Sequence, residues 1–263
     1  MLRSYADPSI SNEWKVRAIG INLALLMSMY KGIYIALSGA VLKHTQMEII
    51  SQNLANADTT AYKKDSVSFK DYLIPQEVVN FEPDGRAMSE VSSFTIDFSA
   101  GNLIKTGNLL DIAIEGNGFI ALEGNRYTKR GDLQKDSKGY LTSYNGIRVL
   151  GSQGPIQLPE GTPEISESGD VSVNGILIDS IKIIELKELD KLSKVGESIF
   201  MTSENTGTSK AKVQQGHLEK SNVEVIKEMM HMIETSREFE TFQKAIQFFD
   251  EAAGKVNNEI GRV

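Results

Sequence analysis

Apolar positions recur at helical spacing at both ends of the chain and at strand spacing between them. Near the amino end, Ile33, Leu37, Ala40, His44, Met47, Ser51 and Leu54 follow one another at intervals of four and three, and Val41 and Ile50 widen the stripe. Lys31, Lys43, Gln46 and Glu48 fall off it. This spacing predicts a helix with one buried seam over residues 31–56. It should end near Asn56, where Asn, Asp and Thr cluster and compete for backbone hydrogen bonds. At the carboxy end, Ile226, Met230 and Ile233 form one row. Phe239, Phe242, Ile246, Phe249, Ala253, Val256 and Ile260 form a second. The two rows change phase near Arg237, as expected where a helix switches partners. Ser221 or Asn222 is the expected N-cap, with Glu224 in the first turn. The Phe-rich row needs a cover. The amino-terminal helix, a neighbouring copy, or both could supply it, and an intramolecular helical hairpin is the plainest reading.

The middle alternates. Leu110, Ile112 and Ile114 lead into Gly116-Asn117-Gly118, then Phe119–Leu122, a turn at Gly124-Asn125, and Arg126–Thr128. Tyr140–Tyr144 and Ile147–Leu150 flank Asn145-Gly146, and Val171 and Val173 precede Asn174-Gly175 and Ile176. Asn-Gly between such runs signals a hairpin, because both turn positions need positive φ. Glu185–Lys194 reads as a strand followed by a short helical turn. Residues 74–100, with Pro75, Pro83 and Gly85, read as a long connection, and 203–215 as a polar return linker. The fold class is α+β, with long N- and C-terminal helices and a central mainly-β domain. The expected divisions are 29–73 for the first helix and its turn, 74–210 for the β domain, and 211–263 for the last helix.

Composition narrows the function. The net charge is -7 and no basic cluster is present, which disfavours nucleic acid as a partner. Absence of cysteine removes disulfides, thiol nucleophiles and Cys-ligated zinc together. In the first 28 residues, Arg3, Lys15 and Arg17 precede the short apolar run Ala18–Met27, broken by Asp7 and Glu13. Three readings stand: a divergent signal or anchor, an added structured helix, or sequence upstream of the true start. The last is the expectation, since clearer organisation begins at Met29. The apolar run is too short to span a bilayer. His44 and His231 are a conceivable metal pair without further ligands, so a seam or surface role is the expectation. Asp111 and Glu115 lie about 13 Å apart along a strand, too far for a glycosidase pair. Gly116-Asn117-Gly118 leads into a strand, not the helix N-terminus that a phosphate cradle needs. Met229, Met230 and Met232 read as helix packing. No catalytic, cofactor or metal site is expected.

Three blocks resemble the bacterial flagellar rod and hook axial proteins, above all the basal-body rod proteins. The first is Ile50 through Lys63, containing Asn53-Leu54-Ala55-Asn56 and Thr60-Ala61-Tyr62-Lys63. The second runs from Thr106 to Phe119 and continues through Tyr127–Gly131 and Gly151–Pro159. The third runs from Gln215 to Val225 and on through Met232–Glu240. Three positions depart from the pattern: Ala61 for Gly, Leu109 for Pro and Phe239 for Tyr. A left-handed backbone is costly for Ala, so a remodelled turn is expected at Ala61. The short spacing between the first two blocks, with Asp97-Phe98-Ser99 before the second, resembles the proximal rod protein more than the distal one. Hook-type proteins have longer middles.

The resemblance implies a structural subunit and no enzyme. Its terminal helices would pair as a coiled coil lining a hollow tube, with the β domain outside. The implied interface is Ile33, Leu37, Ala40, Met47, Asn53, Leu54 and Asn56, with Ile226, Met230, Ile233, Phe239, Phe242, Ile246, Phe249, Val256 and Ile260. Implied partners are further copies, other rod and hook proteins, and the flagellar type III export apparatus, with no cleaved signal, small-molecule substrate or membrane insertion. The implied location is the basal body. The alternative from another class is a periplasmic or surface β-domain binding protein on a helical stalk.

Overall fold

The computed structural model describes residues 8–73, 87–189, 192–196, 198–202 and 207–260, with the side chains at 8–31, 71–73, 87–90, 208, 257, 259 and 260 outside the description. The elements are α1 (Pro8–Ala55), β1 (Asp65–Leu73), β2 (Ala87–Ile96), β3 (Leu103–Lys105), β4 (Ile112–Glu115), β5 (Phe119–Leu122), β6 (Arg126–Thr128), β7 (Gln134–Lys135) and β8 (Leu141–Thr142). They continue as β9 (Pro163–Ile165), β10 (Asp170–Val173), β11 (Ile176–Ser180), β12 (Ile183–Glu185), β13 (Ser193–Gly196), β14 (Ile199–Met201), β15 (Gly207–Thr208), β16 (Lys212–Gln215), β17 (His217–Glu219) and α2 (Val225–Ile260). The fold is α+β, as the pattern predicts. Helix α1 begins at Pro8, well before residue 31. Among the described residues no helix is long and apolar enough to cross a membrane.

The chain divides into two compact units. One is Met1–Ile49, Val67–Ser93 and Met230–Val263; the other is Ile50–Ser66 and Phe94–Met229.

In the first unit, α1 and α2 pack with opposite chain directions. Gly32 lies against Phe249 and Gly39 against Phe242. Lys43 Nζ pairs with Glu238 at 2.6 Å, and the His44 and Phe239 rings are 6.1 Å apart. Positions rise along one helix as they fall along the other. A Cβ at Gly39 would stand 2.5 Å from Phe242 Cε1, so only glycine admits that ring. The α2 contacts thus use Gly32, Gly39 and Lys43 beside Ala40 and His44 of the predicted row, so glycines share a seam that the pattern assigned to larger side chains. Leu37 is 47% exposed and His44 is also exposed, while Ala36 and Ala40 are buried. The prediction weighted large apolar side chains, but a Phe-bearing partner needs a groove of small ones.

Residues 65–100 correct a second expectation. Residues 87–96 are a strand, not part of a loose connection, and β2 pairs with β1. The Ser68 and Ser93 hydroxyls lie 2.7 Å apart between these strands.

The second unit is built around β5, buried on both faces. Its alternation divides two cores. Ile120 and Leu122 join Ile112, Leu141, Val149, Ile156 and Val171. Phe119 and Ala121 join Tyr127, Ile184 and Phe200. The rings of Phe98, Phe119 and Phe200 meet at centroid distances of 5.3 to 5.8 Å. The sheet order is β13-β14-β6-β5-β12-β15. The expected return linker is also partly strand: β15 closes this sheet on β12, and β16 pairs with β4 through Val213↔Ile114. Burial of Val213 favours the pairing of β16 with β4.

Candidate assembly interface

The loop after α1 and the segment before α2 meet in a buried polar joint, entirely within the second unit. Asn53 is buried at the end of α1. Its Oδ1 accepts from the Asp65 amide at 3.0 Å and from the Tyr62 hydroxyl at 3.2 Å, and its Nδ2 donates to Asp65 O at 2.9 Å. Asn56 Nδ2 donates to Gln52 O, and Thr59 Oγ1 to Asn56 Oδ1. The Asn-Leu-Ala-Asn block thus ends the helix and orders the turn after it. Both asparagine side chains, expected at an interface between subunits, are occupied within the chain.

Lys63 is fully buried. Its Nζ donates to Glu219 Oε1 at 2.6 Å and to Ser99 O at 2.7 Å. The same Glu219 oxygen accepts from the Gly101 amide at 2.8 Å. Burying two charges is tolerable only when they are paired and further hydrogen-bonded. Next along, the Lys64 amide donates to Asn222 Oδ1 at 2.8 Å, and Lys64 Nζ pairs with the buried Glu228. Asn222 Nδ2 donates to Asp97 O at 2.8 Å. Neither expected N-cap adjoins α2, which starts at Val225: the Asn222 side chain serves the joint, Ser221 Oγ accepts from the Val223 amide, and Glu224 precedes the helix. Helix α2 starts at Val225 with Glu228 in its first turn, where a negative charge suits the dipole.

Ala61 is the other correction. It keeps the left-handed turn at φ 52° and is fully buried, and its amide donates to Glu219 O at 2.8 Å. The surrounding bonds hold the conformation that glycine would adopt freely. Burial and the neighbouring Asp65 carboxylate push the Tyr62 phenol well above its usual range. Lys194 lies 4.1 Å over the Tyr62 ring and pairs with Asp65 at 2.7 Å. Burial lowers the Lys129 ammonium, which donates to Gly116 O at 2.9 Å.

The predicted helix residues separate into two groups. Ile33, Met47 and Leu54 on α1 are half-buried, as are Phe239, Phe242, Ile246, Phe249 and Val256 on α2. Ile226, Met230 and Ile233 stand 75%, 59% and 54% exposed, on a row that the α1 contacts do not use. The Ile260 side chain lies outside the described residues. His44 lies 3.6 Å from Glu48 and His231 4.0 Å from Glu234, and among the described residues no group of three or more possible metal ligands gathers. The roles of Lys63 and Glu219 are not legible in the sequence, and Asn222 reads there as an N-cap. The sequence carries no signal that singles out this pair, since Lys64, Lys220 and Glu224 stand close by.

A β body whose two chain ends are knotted together, and then leave as helices with an uncovered apolar row, defines a structural subunit. Comparison with known proteins agrees. Residues 33–63 match the family described as flagella basal body rod protein, 113–173 the flagellar hook protein FlgE/F/G D1 domain, and 214–259 the flagellar basal body rod FlgEFG protein C-terminal region. The chain is 30% identical over 268 residues to the flagellar basal-body rod protein FlgG of Bacillus subtilis, covering 89% of this chain and 99% of that one. It is 26% identical over 245 residues to FlgF of Caulobacter vibrioides, covering 89% and 100%. It is 27% identical over 263 residues to FlgG of Agrobacterium fabrum, covering 88% and 99%. The chain belongs to the flagellar basal-body rod protein family.

Proposed function

We propose that this chain is a structural subunit of the flagellar basal-body rod that polymerises through α1 and α2 into the hollow axial shaft. The observation that carries this is the exposed row Ile226, Met230 and Ile233 on a helix that uses its Phe242 and Phe249 row against α1. Water contact with such a row is unfavourable, and stacking copies removes it. A contact between two different surfaces does not close on itself and extends as a helix. The seven-residue spacing of Gly32 and Gly39 against that of Phe242 and Phe249 supports pairing as a coiled coil. Neighbours are further copies and other rod or hook axial proteins. The chain reaches the basal body through the flagellar export apparatus without a cleaved signal, and much of α2 orders on assembly. It works by contact and has no catalytic role.

The test is imaging of basal bodies from cells lacking this chain, with electron microscopy of the concentrated protein. A missing rod segment, and filaments or growth on isolated basal bodies, are expected. Intact rods together with a discrete closed oligomer would overturn the reading and favour a stalked binding protein.

A further inference from the structure

The joint holds the last turn of α1 and the first turn of α2 in the β body by different contacts from those that pack the rest of the helices. Asn53 fixes the α1 turn through Asp65 and Tyr62. Lys64 fixes the α2 turn through Asn222 and Glu228. Between them, Lys63 and Glu219 close the knot at 2.6 Å, and all of these residues belong to one compact unit.

We propose that the buried joint, closed by the Lys63–Glu219 pair and continued to α2 by Lys64 and Glu228, is a positioning latch that keeps both of these turns preformed in the free subunit, as nuclei from which the helices extend. This rests on the assembly reading above, and names how the ordering on assembly is controlled. Starting a helix is the unfavourable step, with a nucleation factor of about 10⁻³, whereas extension adds one hydrogen bond per residue fixed. A turn already held by buried partners removes that step. Ordering then runs one way, from the body toward the chain ends, when a neighbouring copy arrives. The latch joins Lys63 and Glu219 to a third distant segment, through Ser99 O and the Gly101 amide, so it closes only after the β body has folded. A chain with an unfinished body therefore has no nucleus and does not present ordered helices to a growing end.

Hydrogen exchange on the free full-length subunit tests this. Amides at 51–56 and 228–229 should exchange at least tenfold slower than those at 240–256. In Glu219→Gln both turns should lose that protection together, while β4 and β5 keep theirs. Equal exchange at the turns and at 240–256 in the parent chain would overturn the proposal, as would turns that stay protected in the variant. If Glu219→Gln does not fold, Lys64→Met carries the test. Its lysine is partly exposed, and protection should fall at 228–229 while the body and the α1 turn are unchanged. Protection unchanged there would equally overturn it. Basal-body imaging of the parent chain judges the rod assignment separately, so an intact role in the rod with unprotected turns would sink the latch alone.

Discussion

Lys63 Nζ and Glu219 Oε1 are 2.6 Å apart across 156 positions of sequence, and neither side chain meets solvent. The pair joins the exit of one terminal helix to the entrance of the other. Removing one partner leaves the other buried and uncompensated. Lys63→Ala should therefore destabilise the β body by about 3–5 kcal/mol. Denaturant unfolding followed by the fluorescence of the body's tyrosines measures it. A loss below about 1 kcal/mol would contradict the buried geometry.

Gly39 admits the Phe242 ring where no side chain could. Gly39→Ala should cost about 1–3 kcal/mol of helix packing. In the proposed assembly this raises the concentration needed for polymer growth about fivefold or more. Light scattering against concentration reads the threshold, and an unchanged threshold would remove Gly39 from the seam.

Ala61 occupies left-handed backbone in a fully buried site. A β-branched residue adds both backbone strain and volume, so Ala61→Val should cost at least about 2 kcal/mol. Ala61→Gly relieves the strain but loses a buried methyl and gains chain freedom, so its net effect stays within about 1 kcal/mol. Thermal melts of the two variants make the comparison, and the order Gly above Val is the decisive result.

Tyr62 provides a pH test. Its phenol is raised in the folded chain above the ordinary value of 10.0. Below pH 10 both states hold the proton and the full contribution is present. Above it the unfolded chain ionises first, so stability falls with rising pH. Tyr62→Phe should remove that part of the alkaline decline. Absorbance at 295 nm should rise more on alkaline unfolding of the parent than of Tyr62→Phe, by about one tyrosinate.

The exposed row of α2 separates assembly from folding. Ile226→Asp and Ile233→Asp should leave the subunit's stability within about 0.5 kcal/mol, because both side chains are already in water. Polymer growth should be lost in each. Normal growth in both variants would show that the row is not the contact.

Local pattern settled the helical ends, the β middle and the hairpins, because spacing of four and three, alternation, and Asn-Gly turns are short-range properties of the chain. The blocks from Ile50 to Lys63 and from Gln215 to Val225 also revealed the family before any contact was known. The tertiary structure decided the seam of α1, because a ring on the partner selects glycine where hydrophobicity alone favours Leu37. It decided that Asn222 serves Lys64 instead of capping α2, and that Ala61 keeps its left-handed turn. It also paired Lys63 with Glu219. A charge has no preferred partner along the sequence, and only a folded body that excludes water makes one oxygen out of thirty-five carboxylates the right one.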